Sequence, residues 1–181
     1  MDFRNKRIII TGATSGIGRQ LMIILSKYEG VKIIAVGRKM RNIPIAMNII
    51  PFKADISVHE EVDALFDFAV EKLGGVDMFF ANAGYAYFKT SEFATWNDIE
   101  NTYKTNVVSA IYSVKKMMDM HRHTGSEYLI AITISCTAKL PVPGNPVYVG
   151  SKSALDGFAS SLRYAMPKHG HVTSIYPIGV K

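Results

Sequence analysis

The sequence predicts an α/β fold, a doubly wound parallel sheet between two layers of helices in a three-layer α/β/α arrangement. Two observations carry this expectation. Short apolar runs rich in Ile, Val and aromatics alternate along the chain with longer stretches whose apolar residues recur at helical spacing. Such alternation builds right-handed βαβ crossovers and a parallel sheet. The first apolar run also leads through a glycine-rich turn straight into a helical stretch, an order that presents backbone N–H groups to an anion.

In chain order, residues 6–11 (KRIIIT) form the first strand and residues 17–27 the first helix. Residues 31–37 (VKIIAVG) are the second strand, apolar enough to be buried on both faces. Between Arg38 and Asp55 only Pro44 and a third strand, residues 49–54, intervene, so that crossover has room for a turn or two and not a full helix. A helix over 58–73 then leads through Gly74 and Gly75 to a fourth strand, 76–82. A single long helix is expected over 93–122, a fifth strand over 128–135, a helix over 147–165 and a sixth strand over 171–176. No linker, low-complexity tract or repeat interrupts the pattern, so residues 1–181 read as one unit.

Composition narrows the partners. With 48% hydrophobic and 20% charged residues the chain can bury a core, and its formal charge of +6 favours anionic partners. From Gly30 to Ala54 there are five basic residues (Lys32, Arg38, Lys39, Arg41, Lys53) and no acidic one. This stretch lacks interleaved stacking aromatics and any nucleic-acid reading motif, so its charge is assigned to a phosphorylated small molecule and no nucleic acid is expected. One cysteine, Cys136, permits no intrachain disulfide, and no apolar run is long enough for a signal peptide or a membrane span. A cytoplasmic protein without membrane association is expected. Cys136 reads as a small buried thiol, and the pairs His121/His123 and His169/His171 as solvated element ends with no third metal ligand. Trp96, Met117, Met118 and Met120 read as core or helix-partner residues.

The first strand ends in Thr11-Gly12-Ala13-Thr14-Ser15-Gly16-Ile17-Gly18. Glycines at this spacing permit the tight turn, close approach of backbone to a pyrophosphate, and packing of helix on strand. With Thr in front, the loop resembles the TGxxxGIG of the short-chain dehydrogenase/reductase (SDR) family at every defined position. Further pieces match in the same order: Asp55 after the third strand, Ala81-Asn82-Ala83-Gly84 after the fourth (the family's NNAG), Asn106, Ser135, and Tyr148-Val149-Gly150-Ser151-Lys152. The resemblance covers essentially the whole chain. It implies a Rossmann fold and an oxidoreductase that interconverts a carbonyl and an alcohol. It also implies a dinucleotide held by Gly12, Thr14, Ser15, Gly16, Ile17, Gly18, Asp55 at the adenine, Asn82, Ala83, Gly84, Tyr148 and Lys152.

Tyr-x-x-x-Lys occurs five times, at Tyr28/Lys32, Tyr85/Lys89, Tyr112/Lys116, Tyr148/Lys152 and Tyr164/Lys168. A tyrosine with a pKa near 10 needs a nearby cation to exchange protons near neutrality, and i, i+4 on a helix supplies one. Tyr28/Lys32 straddles Gly30, Tyr85/Lys89 lies in a loop, Tyr112/Lys116 is mid-helix, and Tyr164/Lys168 spans Pro167. Only Tyr148 begins a helix soon after a strand whose C-terminal end carries a serine, where ligands of open α/β sheets bind. By resemblance, Tyr148 is then the general acid or base, and Lys152 lowers its pKa and holds the nicotinamide ribose. Ser135 bonds the substrate oxygen, and Asn106 positions a water leading to Lys152.

The end of the second strand commonly carries an acid for a free ribose 2′-OH, but here it is Gly37 followed by Arg38 and Lys39. NADP(H) is therefore the expected cofactor, with NAD(H) possible; Ser15 argues the other way, since many NADP-preferring relatives have a basic residue there. The segment Tyr176-Pro177-Ile178-Gly179-Val180-Lys181 stands where the family has Pro-Gly and then continues into a substrate-binding segment and a seventh strand, so those are expected to be missing. A homodimer or homotetramer is expected, built on the faces of the Asn106 and Tyr148 helices or on the exposed sheet edge. A chain so shortened is expected to bind the adenine half of the cofactor and to reduce carbonyls poorly. The competing reading is a catalytically silent dinucleotide-binding module, a sensor or scaffold.

Overall fold

A computed structural model describes residues 2–40, 43–44, 46–85, 94–140 and 143–178. Six parallel strands, β1 (Arg7–Thr11), β2 (Lys32–Gly37), β3 (Ile49–Lys53), β4 (Met78–Ala81), β5 (Tyr128–Thr133) and β6 (Gly170–Ile175), form one sheet in the order β3-β2-β1-β4-β5-β6. The order reverses between β1 and β4, and this switch point opens the crevice at the C-terminal ends of the strands. The helices are α1 (Gly16–Leu25), α2 (His59–Leu73), α3 (Trp96–Tyr103), α4 (Ser109–His121) and α5 (Pro146–Ala165). Described residues between β2 and β3 form no helix, in keeping with the short crossover expected there.

Period-two alternation divides the core between the two faces of the sheet. Ile8, Ile10, Ile33 and Ala35 pack with Met22 and Leu25 of α1. Ile9, Ile34 and Val36 face the other way, against Val62, Leu65 and Phe66 of α2, in a cluster that continues to Val114 of α4 and Leu155 of α5. The inner strands are almost wholly buried, whereas the edge strands β3 and β6 alternate between half-buried and exposed positions, with only Ile49 of β3 fully buried.

Three sequence expectations are corrected. The helix expected over 93–122 is not continuous: α3 ends at Tyr103, a π-helical turn spans Lys104–Val108, and α4 follows. A π turn adds a residue to the helical repeat and rotates the side chains it carries; helical periodicity alone does not reveal it. Phe93 and Lys89, which two of the expectations included, lie outside the described residues. His121 is buried, its Nε2 2.7 Å from the Val76 carbonyl and its ring stacked on Tyr128. His169 Nε2 is enclosed without a hydrogen-bond partner among the described residues, so neither histidine is simply a solvated end. Third, Cys136 is only half-buried. Met117 is core and Trp96 is on the surface, 79% exposed, within the core-or-partner reading of these residues.

Candidate functional site

β1 and β4 bring their two C-terminal loops together. Thr11 Oγ1 donates to the Phe80 carbonyl and accepts from the backbone N–H groups of Asn82 and Ala83. Asn82 Nδ2 donates to the Thr11 carbonyl, and Asn82 Oδ1 accepts from Thr133 Oγ1, so one amide ties β1, β4 and β5. The glycine loop fits tightly on this junction. A Cβ on Gly12, at φ +68°, would stand 2.9 Å from Ala83 Cα, and one on Gly18 would stand 2.4 Å from the Gly12 carbonyl oxygen. Only residues without side chains allow the backbone this approach.

A crevice follows from this junction, lined by Gly12, Thr14, Ser15, Gly37, Arg38, Asp55, Ala83, Gly84 and Tyr85. The loop expected to cradle phosphate thus opens onto Asp55 and Arg38, while Gly16, Ile17 and Gly18 form the first residues of α1. At the far end, Arg38 is 72% exposed and its Nη1 lies 4.0 Å from Asp55 Oδ2. Asp55 Oδ1 accepts from both the backbone and hydroxyl of Ser57. Burial pushes the Asp55 carboxyl up, but the Ser57 hydrogen bonds and the Arg38 charge outweigh it and hold the pKa below the ordinary value.

The other end of the site is built around α5. Asn145 caps it by accepting the Tyr148 N–H, and Pro146 occupies the first turn, where its missing donor costs nothing. Tyr148 is half-buried, and its hydroxyl has no protein partner among the described residues. Lys152, one turn on, is only 3% exposed; its Nζ donates to the Thr133 carbonyl at 3.0 Å and lies 5.8 Å from the Tyr148 ring centroid. Among the described residues no carboxylate pairs with it, and burial pushes its ammonium down to about 8. A Cβ on Gly84 would stand 3.4 Å from this Nζ and 3.6 Å from Asn106 Oδ1, so glycine there lets the β4 loop pass between them.

Asn106 sits in the π turn and is 1% exposed. Its Oδ1 accepts from the Tyr85 N–H at 2.6 Å, and its Nδ2 donates to the Tyr85 carbonyl and to Ser151 Oγ. Both amide donors are committed, which leaves one Oδ1 lone pair for any water leading to Lys152. Ser135 follows β5, 8% exposed, its Oγ accepting from the backbone and hydroxyl of Thr137. The chain after β6 is held alongside: Tyr176 and Lys139 both donate to the buried Asp156 carboxylate of α5, and the Cys136 N–H donates to the Pro177 carbonyl.

Where both residues are described, the other tyrosine-lysine pairs are occupied elsewhere or open to solvent. Tyr112 and Lys116 both donate to Asp63 of α2, Tyr164 is 94% exposed, and Tyr28 packs on Phe3. Sequence reasoning missed Ser151, whose hydroxyl donates to the Tyr148 carbonyl and accepts from Asn106, as well as Thr11 and Thr133. Ser151 lies three residues after Tyr148, and i, i+3 spacing on a helix was the available signal.

A parallel sheet with a glycine-rich turn at its switch point and a crevice at the strand ends defines a doubly wound fold of the nucleotide-binding class. The short chain dehydrogenase family model matches residues 6–181. The chain is 29% identical over 183 residues to a hydroxysteroid 11-beta-dehydrogenase 1-like protein of Gallus gallus, covering 93% of this chain and 61% of that protein. It is 26% identical to a hydroxynaphthalene reductase of Aspergillus fumigatus, covering 100% of this chain and 68% of the reductase. A short chain dehydrogenase/reductase of Burkholderia phymatum, solved in complex with NAD, superposes with a TM-score of 0.92 at 22% identity, covering 98% of this chain and 66% of that one. This protein belongs to the short-chain dehydrogenase family. The chain spans about two thirds of the length of these relatives. Among the described residues no helix is long and apolar enough to cross a membrane, and no group of three or more His, Cys, Asp or Glu could hold a metal ion.

Burial of Lys152 gives a measurable consequence. The folded protein holds it at about 8 against 10.5 for the free side chain, so between those values the unfolded chain binds more protons. Stability of the cofactor-free protein is therefore expected to rise with pH through this window, by up to about 3 kcal/mol at ~1.4 kcal/mol per pKa unit. The penalty is complete below the folded pKa and gone above the unfolded one. Urea unfolding across the window should show the rise in the parent and a flatter profile in Lys152→Met. Parallel profiles would contradict it.

Proposed function

We propose that this protein is an NADP(H)-dependent oxidoreductase that interconverts a carbonyl and an alcohol, with Tyr148 as general acid or base. The observation that carries the reading is Lys152. A cation 3% exposed, with one carbonyl bond and no carboxylate partner among the described residues, is costly to bury. Its remaining donors lie beside Gly84 and the Tyr148 ring, where a bound ligand's oxygens would repay that cost. The crevice fits a dinucleotide on two further grounds: Gly12 and Gly18 leave backbone bare at the turn, and Arg38 stands at the opposite end.

In this reading Gly12, Thr14, Ser15, Gly16, Ile17 and Gly18 hold the pyrophosphate, Asp55 meets the adenine, and Asn82, Ala83 and Gly84 form the floor. Lys152 takes the nicotinamide ribose. When bound, the dinucleotide would supply hydride chemistry at the carbonyl carbon, in either direction. The hydroxyl of Tyr148 gives its proton to the substrate oxygen as negative charge develops there, and Ser135 orients that oxygen. The Lys152 ammonium stabilises the tyrosinate left behind. Asn106 clamps the Tyr85 backbone and, through Ser151, the first turns of α5, which keeps Tyr148 in place. A small carbonyl or alcohol is the substrate, and the exposed Trp96 of α3, Val108 of the π turn and Tyr164 of α5 support a homo-oligomer built on these faces.

NADP(H) is preferred over NAD(H) because the strand-end acid is absent and cannot easily be restored. A Cβ on Gly37 would stand 2.7 Å from the Thr14 methyl. A charge-assisted contact from Arg38 to a 2′-phosphate contributes on the order of 1.5–3 kcal/mol. Calorimetry should therefore find NADPH bound more tightly than NADH, with most of the difference removed in Arg38→Ala. Equal affinities, or an unchanged preference in the variant, would refute the assignment.

A further inference from the structure

Arg38 does not face its end of the crevice alone. A hollow of about 410 Å³ adjoins the crevice, lined by Arg38, Lys53, Ala54, Asp55 and Glu61. Arg38, Ala54 and Asp55 line both spaces, so the two lie side by side. Lys53 ends β3 and is the register partner of Gly37, the last residue of β2. Partners in a parallel ladder point to the same face, so Lys53 stands on the face where Gly37 leaves room beside Thr14.

The charges in the hollow make Lys53 decisive. Asp55 and Glu61 are both there, and Glu61 Oε2 accepts the Asp55 N–H at 2.7 Å. Against two carboxylates the Arg38 guanidinium alone would leave the hollow negative, which opposes a phosphate. Lys53 is exposed and makes no ion pair or hydrogen bond among the described residues. Its ammonium is thus available to a ligand, unlike Lys72 and Lys116, which are already paired with acids.

We propose that Lys53 is the second cation of a 2′-phosphate subsite and that it, together with Arg38, determines the choice between phosphorylated and unphosphorylated adenosine ribose. This rests on the dinucleotide reading of the crevice and adds to it a residue from a different strand. It also answers the absence of a basic side chain at Ser15, because the charge is supplied from β3 instead of from the glycine loop. Arg38 approaches from the β2 end and Lys53 from the neighbouring strand, so the phosphate is held between two chain segments 15 residues apart.

The test uses fragments that carry only the adenosine half, 2′,5′-ADP and 5′-AMP, titrated calorimetrically into the protein at fixed low salt. The parent should bind 2′,5′-ADP more tightly. Lys53→Ala should lower the ratio of the two affinities about tenfold, the lower end for a charge-assisted contact, with 5′-AMP affinity unchanged. Lys53→Arg should restore the ratio. A ratio kept intact in Lys53→Ala while Arg38→Ala abolishes it would overturn the role of Lys53 and leave the cofactor reading standing. Equal binding of both fragments by the parent would remove the phosphate subsite altogether, and no binding of either would overturn the dinucleotide reading itself.

Discussion

Replacing Tyr148 by Phe is expected to lower turnover of a carbonyl substrate with NADPH by about 100-fold or more, the usual scale for a general acid or base, while cofactor binding is retained. The substitution removes one oxygen that has no protein partner among the described residues, so neither the cap at Asn145 nor the Lys152 bond to Thr133 depends on it. The control positions differ physically. Tyr112→Phe deletes a hydrogen bond to Asp63 and should lower stability slightly, with no effect on chemistry. Tyr164→Phe alters a side chain in solvent and should change neither. Initial rates for the three variants, on protein that reduces the chosen substrate, decide the matter: wild-type turnover in Tyr148→Phe would end the mechanism. A silent dinucleotide-binding module would show no turnover for any of them to lose.

Gly18→Ala is expected to destabilise the fold by about 1–3 kcal/mol, the range for overpacking, and to weaken dinucleotide binding at least tenfold. Helix propensity argues the other way, since alanine inside a helix is favoured over glycine by about 1 kcal/mol. Sterics win because the new Cβ would meet the Gly12 carbonyl oxygen at 2.4 Å and Asn82 Nδ2 at 2.5 Å. Relieving that overlap requires moving the glycine loop or breaking the amide that joins β1, β4 and β5. Gly157 in α5 supplies the comparison, because a Cβ there meets nothing within 4 Å. Gly157→Ala should stabilise the protein by about 0.5–1 kcal/mol. Thermal or denaturant melts that shift both variants in the same direction would show that contact at the loop is not what requires Gly18.

Much of the site could be read from the sequence because its signals are local. The glycine loop and Tyr148/Lys152 each lie within one strand-to-helix turn or one helical turn, and the apolar runs of the inner strands announced their own burial. Of the pairs that the sequence sets aside, Tyr112/Lys116 is tied to Asp63 and Tyr164 is in solvent. The helix carrying Asn106 was harder, because a π turn preserves composition and shifts only the phase of the helix.

The sequence by itself determined the fold class, the strand and helix order, the glycine loop at the switch point, and the surplus of positive charge between Gly30 and Ala54. These follow from periodicity and from backbone permissions at single residues, which act over a few positions. Only the tertiary structure decided that Asn106 spends its amide on Tyr85 and Ser151, that His121 is buried against Val76 and Tyr128, and that Lys53 shares a hollow with Arg38, Asp55 and Glu61. It likewise decided that Lys152 is buried with a carbonyl for company and no acid among the described residues. Each of these depends on segments brought together by strand pairing and helix packing, such as the 45 residues between Asn106 and Ser151, and the electrostatic outcome depends on which groups become neighbours once water is excluded.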